Sequence, residues 1–87
     1  MEKLQEKLDE ILKRELKNGR TEQLETLSNG HVCGHVISTE FDNLDYTQRR
    51  HRIKGILEKH LSKDELLKIS TLLTYTPDEW GVELKEL

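Results

Sequence analysis

With Cys33 as the only cysteine among 87 residues, the chain has no pair from which to close an internal disulfide. Cysteine used this sparingly fits a reducing compartment. Long apolar runs are missing too: the longest are a few residues, far short of the roughly 20 that span a bilayer, and the first residues contain no signal-peptide core. A cytoplasmic location without membrane contact is the expectation. Equally absent are a nucleophile elbow, a phosphate loop and a His-Glu-x-x-His element. Cys33 with a histidine on the same strand is insufficient for a nucleophilic dyad without an oxyanion site. The chain is therefore read as a non-enzyme. A Gly-x-x-Gly clamp for RNA is lacking, since the spacing of Gly30 and Gly34 is wrong for one. No repeat, low-complexity stretch or linker breaks the sequence, so residues 1–87 are expected to form one domain, too short for a second core.

What is present is charge. Charged residues make up 36% and hydrophobic ones 33%, a balance that leans toward disorder, but the apolar residues fall into periodic groups and so argue for a folded chain. The formal net charge of −3 disfavours a general binder of nucleic acid or anionic membrane. Locally the sign reverses: between Thr47 and His60, Arg49, Arg50, Arg52, Lys54 and Lys59 oppose Glu58 alone, whereas the segment from Leu61 onward is acidic.

From Glu2 to Asn18, Leu4, Leu8, Ile11, Leu12 and Leu16 form the stripe of an amphipathic helix, and Asn18-Gly19 is its stop signal. Thr21 to Ser28 reads as a strand anchored by Leu24 and Leu27. The Ser28-Asn29-Gly30 turn joins it in a hairpin to a second strand, His31 to Thr39, rich in β-branched residues. Gly34 inside that strand implies a bulge or a close backbone approach. After a loop from Glu40 to Asp45, the residues Tyr46, Ile53, Ile56, Leu57, His60 and Leu61 share one side of a second helix. Ser62 with Glu65 is a capping box for a short helix. A third strand, Ile69 to Tyr75, is expected to place Ile69, Thr71, Leu73 and Tyr75 on one face. Thr76-Pro77-Asp78-Glu79 then opens a last helical turn, with Tyr75 and Trp80 as core and staple residues. The order is αββααβα, an α+β domain.

Two constellations carry chemistry. In an extended strand, His31, Cys33 and His35 project from one face, and neighbours in that set lie roughly 6.5–7 Å apart at Cα, close enough for a pair to share an ion. His31 and His35, at roughly 13 Å, are too far apart. The strand therefore supplies two ligands at most, suited to zinc or iron-sulfur iron, and a partner or another residue such as His60 must complete the centre. The plainer alternative is exposed histidines beside a half-buried thiol. The second constellation, Arg49, Arg50, His51, Arg52 and Lys54, is a basic helix face able to dock an acidic partner, phosphates or DNA, or merely to be solvated.

The run from about Gly30 to Trp80 resembles the BolA family: His31-Val32 entering the central strand, Phe41 after it, Arg49, then Ile53 and Leu57, and the close Tyr75-Thr76-Pro77-Asp78-Glu79-Trp80. The resemblance implies a three-stranded mixed sheet with helices on one side, related to the KH type II fold. It also implies a partner of a monothiol glutaredoxin that shares a bridged 2Fe-2S cluster in iron-sulfur trafficking or iron sensing, a monomer or weak dimer when alone, with bacterial members linked to stress, cell shape and transcription. His31 stands where the family often has its first ligand. The second ligand position falls on Lys68, whose ammonium group cannot ligate iron while protonated. Arg49 holds the family's arginine position. DNA binding by the basic helix and the sheet edge is the alternative function.

Overall fold

Apolar stripes at helical spacing and β-branched runs between turns leave one economical arrangement, helices laid on a small sheet. The computed structural model describes residues 3–85, with side chains described through residue 81. The elements are α1 (Leu4–Glu15), β1 (Arg20–Thr26), β2 (Val32–Ile37), a 3-10 turn (Thr39–Asn43), α2 (Tyr46–His60), α3 (Lys63–Leu67), β3 (Ile69–Tyr75) and α4 (Pro77–Lys85). The sheet order is β1-β2-β3, with β1 antiparallel and β3 parallel to β2. This is the expected mixed sheet in the expected order of elements.

Leu8, Ile11, Leu12 and Leu16 from the α1 segment meet Val32 and Val36 of β2, Phe41, and Ile53, Ile56, Leu57 and Leu61 from the α2 segment in one buried cluster. Each such side chain contributes on the order of 1.5–3 kcal/mol when fully buried. Local signals fix the ends of the elements. Asp45 and Gln48 form a capping box at α2, as Ser62 and Glu65 do at α3. At α4 the Thr76 hydroxyl accepts from the Glu79 amide at 3.1 Å while the Glu79 carboxylate accepts from the Thr76 amide at 2.7 Å. Tyr75 and Trp80, flanking that cap, meet edge-on with ring centroids 5.3 Å apart, a hydrophobic staple.

The hairpin turns through Gly30, at φ +86°, with the Leu27 amide donating to the His31 carbonyl and the Asn29 side chain accepting from the His31 amide. Strand β2 therefore starts one residue later than expected, at Val32, and ends at Ile37. Both of its neighbours carry an extra residue beside Cys33 and Gly34. In β1 the register passes from Glu22 opposite His35 to Glu25 opposite Cys33, and in β3 from Ile69 opposite Val32 to Leu72 opposite Gly34. Gln23, at φ 50°, makes the β1 bulge. A Cβ on Gly34 would come within 2.9 Å of the Leu24 Cα, so the close backbone approach expected at this glycine is met.

The β3 bulge corrects one expectation. Ile69 and Leu72, not Ile69 and Leu73, pack on the core, because the additional residue reverses the inside-outside phase, and Leu73 is left partly exposed. Tyr46 is also displaced from its expected buried side. As the first residue of α2 after the Asp45 cap it is 59% exposed, stacked with Arg50. The helices are not all on one side either. Ile37 and Trp80 are buried outside the main cluster, and Trp80 touches His35 on the sheet face opposite Val32 and Val36.

Candidate functional site

Burial alternates residue by residue from His31 to Val36, half-buried then buried, so Val32, Gly34 and Val36 face the helices and His31, Cys33 and His35 the other side. The three candidate ligands do share a face. Their surroundings differ. His35 lies 5.1 Å from the Trp80 ring and 5.7 Å from the Tyr75 ring, and its Nδ1 is 3.3 Å from the Glu22 carbonyl oxygen. A hydrogen bond there needs the proton on Nδ1 and leaves the lone pair on Nε2. Cys33 is a half-buried free thiol opposite Glu25 of β1. His31 closes the hairpin turn, its carbonyl accepting from the Leu27 amide. The Val32 amide donates to the Lys68 carbonyl at 2.8 Å, which brings the exposed Lys68 beside the His31-Val32 step at the start of the parallel pairing.

His60 is placed elsewhere. Its Nε2 is 3.5 Å from a Glu15 carboxylate oxygen, at the junction of α1 and α2 on the helical side. It is not the residue that would complete a centre with Cys33. Among the described residues, no three His, Cys, Asp or Glu side chains gather closely enough to hold an ion.

The basic helix divides into two groups. Arg49, with 13% of its side chain exposed, donates from Nε to the Leu44 carbonyl at 3.0 Å, from Nη2 to the Phe41 carbonyl at 3.0 Å, and from Nη1 to Glu79 Oε1 at 2.8 Å. The Arg49 guanidinium and the Thr76 amide hold the Glu79 carboxyl below the usual carboxylate range. Arg52 donates to Glu40 Oε1 at 3.1 Å and to the Glu15 carbonyl at 3.2 Å, near the C-terminal end of α1. Burial opposes ionisation of Glu40, but the Lys17 amide and Arg52 outweigh it and keep that carboxyl below its ordinary value. Arg49 and Arg52 thus tie elements together.

Arg50, His51 and Lys54 are exposed and stand on a groove between α2, α3 and β3, of about 650 Å3. Its apolar lining includes Leu66, Ile69 and Leu72, which the sequence reading did not single out as site residues. The phase of β3 hid Leu72, since an alternation without a bulge puts it on the far face from Ile69. The Asp45-x-x-Gln48 pattern was an available signal for the start of the helix that carries the basic rim. No helix among the described residues is long and apolar enough to cross a membrane. Neither a family model nor a curated protein matches the chain.

Proposed function

We propose that this chain is a non-enzymatic, BolA-like partner of a monothiol glutaredoxin, working in iron-sulfur trafficking or in iron and stress regulation. His31 is its iron ligand toward a shared 2Fe-2S cluster and Cys33 the second candidate, with His35 less available because its ring is already in contact with Tyr75 and Trp80. The cluster would supply the redox and transfer chemistry; the chain's residues hold and orient it. The observation that carries this reading is the Val32–Lys68 hydrogen bond, which sets His31 and position 68, the two ligand positions of the resembled family, at the same end of the sheet. With two ligands at most on the β2 face, the chain suits a centre shared between two proteins.

An anaerobic titration into cluster-loaded monothiol glutaredoxin tests it. A new visible circular dichroism spectrum, with amide NMR shifts centred on His31 and Cys33, is expected, and loss of that spectrum in His31→Ala. No spectral change with wild type, or the same new spectrum with His31→Ala, would reject the reading.

Arg50, His51 and Lys54 favour a second reading, a DNA-binding regulator of stress response and cell morphology. Phosphate contacts would make its affinity fall steeply with added salt. Absence of DNA binding at low salt would remove it.

A further inference from the structure

Strand β3 is an outer strand of the sheet, with β2 on one side and no strand on the other among the described residues. The Tyr75 carbonyl accepts from the Ser38 amide next to β2. By strand alternation the backbone groups of Leu72 and Thr74 then face away from β2. The Thr74 carbonyl has a long contact, 3.5 Å, with Arg49. Under the overhang of α2 and α3, this edge borders the groove, whose floor is Ile53, Leu57, Leu66, Ile69 and Leu72. Arg50, His51 and Lys54 form its rim with Glu58. Among the described residues, Arg49 and Arg52 are held in ion pairs and Arg50, His51 and Lys54 are not.

We propose that this groove takes an extended acidic peptide, added as a fourth strand along Leu72–Tyr75, with aliphatic side chains on the floor and carboxylates toward Arg50, His51 and Lys54. Three features favour that occupant. An outer strand offers main-chain donors and acceptors to a partner backbone, while alternate side chains fill pockets for specificity. The floor is mainly aliphatic, with Thr74 beside Leu72, and is complementary to Val, Ile or Leu. The rim carries net positive charge, complementary to Asp and Glu, with Arg able to grip a carboxylate through two parallel hydrogen bonds. Single-stranded nucleic acid fits less well, because no Phe, Tyr or Trp ring lines the groove as a stacking platform and Glu58 would repel its phosphates. The bulge near the start of β3 confines pairing to the strand's last residues and so keeps the added segment short. The groove lies on the helical side of the sheet and His31 and Cys33 on the other, so this proposal does not depend on cluster sharing.

The test is an amide NMR titration of the full chain with the capped peptide Glu-Thr-Val-Thr-Glu-Thr, about six residues as in a typical strand, which sets Val between two Glu on one face. Shifts are expected at Leu72–Tyr75 and along Arg50–Lys54. The double variant R50E/K54E, altered only at exposed positions, is expected to bind at least about tenfold more weakly while its circular dichroism stays unchanged. The same peptide N-methylated along one edge is expected to lose binding, which separates strand addition from charge attraction. Equal binding of the same peptide with Lys in place of both Glu would overturn the proposal. So would tighter binding of a short oligothymidine at the same residues, shifts of Leu72–Tyr75 with protein concentration alone, which would make a second copy the occupant, or no shift with millimolar peptide.

Discussion

The Arg49 guanidinium meets the Glu79 carboxylate at 2.8 Å, joining the start of α2 to the start of α4. The same carboxylate closes the α4 capping box on the Thr76 amide, so one side chain caps a helix and pairs with a cation from another. Arg49 in turn covers the Phe41 ring, with its guanidinium carbon 5.7 Å from the ring centroid.

Arg49→Ala should therefore weaken the fold. It strips the guanidinium from the Leu44 and Phe41 carbonyls, and the expected loss is about 2–3 kcal/mol, read as a lower urea midpoint with unchanged slope. The ion pair itself is the smaller part, since Glu79 is half-exposed. A double-mutant cycle with Glu79→Gln is expected to return a coupling of about 1 kcal/mol or less.

Acid should remove the contribution of Glu79. Arg49 and the Thr76 amide lower its folded pKa, so the stabilisation is complete above the unfolded value of about 4.3 and is lost as the pH falls through the folded value. Urea midpoints across a pH series are expected to show wild type losing stability on the acid side. Glu79→Gln should lose less there, and the two curves should converge at the lowest pH.

Two glycines should respond with opposite signs. Gly34→Ala places a Cβ 2.8 Å from Leu24 Cδ1 and 2.9 Å from Leu24 Cα, and a backbone atom cannot step aside, so a loss of about 1–3 kcal/mol is expected. Gly55, within α2, has nothing within 4 Å of an added Cβ. Gly55→Ala should raise stability by up to about 1 kcal/mol through helix propensity alone. Thermal melts of the pair check both.

Thr74 should tolerate loss of its hydroxyl. Among the described residues its Oγ1 is the buried side-chain polar atom without a hydrogen-bond partner. Thr74→Val exchanges that hydroxyl for a methyl in a strand, and is expected to leave the melting temperature unchanged or higher, by up to about 1 kcal/mol of stability. A clear decrease would show that the hydroxyl has a bonding role.

The features legible in the sequence are the short-range ones. The Ser62–Glu65 and Thr76–Glu79 boxes, the Tyr75–Trp80 staple and the Gly30 turn are each settled within a few residues, where sequence spacing translates directly into geometry. Gly34 also showed itself, because a glycine in a β-branched strand has few reasons to be there. The bulges in β1 and β3 did not, since nothing in Gln23 or Thr71 differs from an ordinary strand residue, and with them went the phase of Leu72 and Leu73. Arg49 and Arg52 read as members of a basic face because their partners, Glu79 and Glu40, lie on other elements. Only the three-dimensional pairing separates them from Arg50, His51 and Lys54.

The paired bulges on either side of β2 draw a crease across the sheet. The register of both flanking ladders shifts beside Cys33 and Gly34 at nearly the same level, so the half bearing His31 and Lys68 is joined to the half bearing His35 and Ile37 through β2 and through the helices packed on Val32 and Val36. Amide hydrogens along that line should exchange sooner than those of Val36 and Ile37. A one-residue deletion at Gln23 would iron out one side of the crease, re-aiming Leu24 and pressing its neighbours onto Gly34.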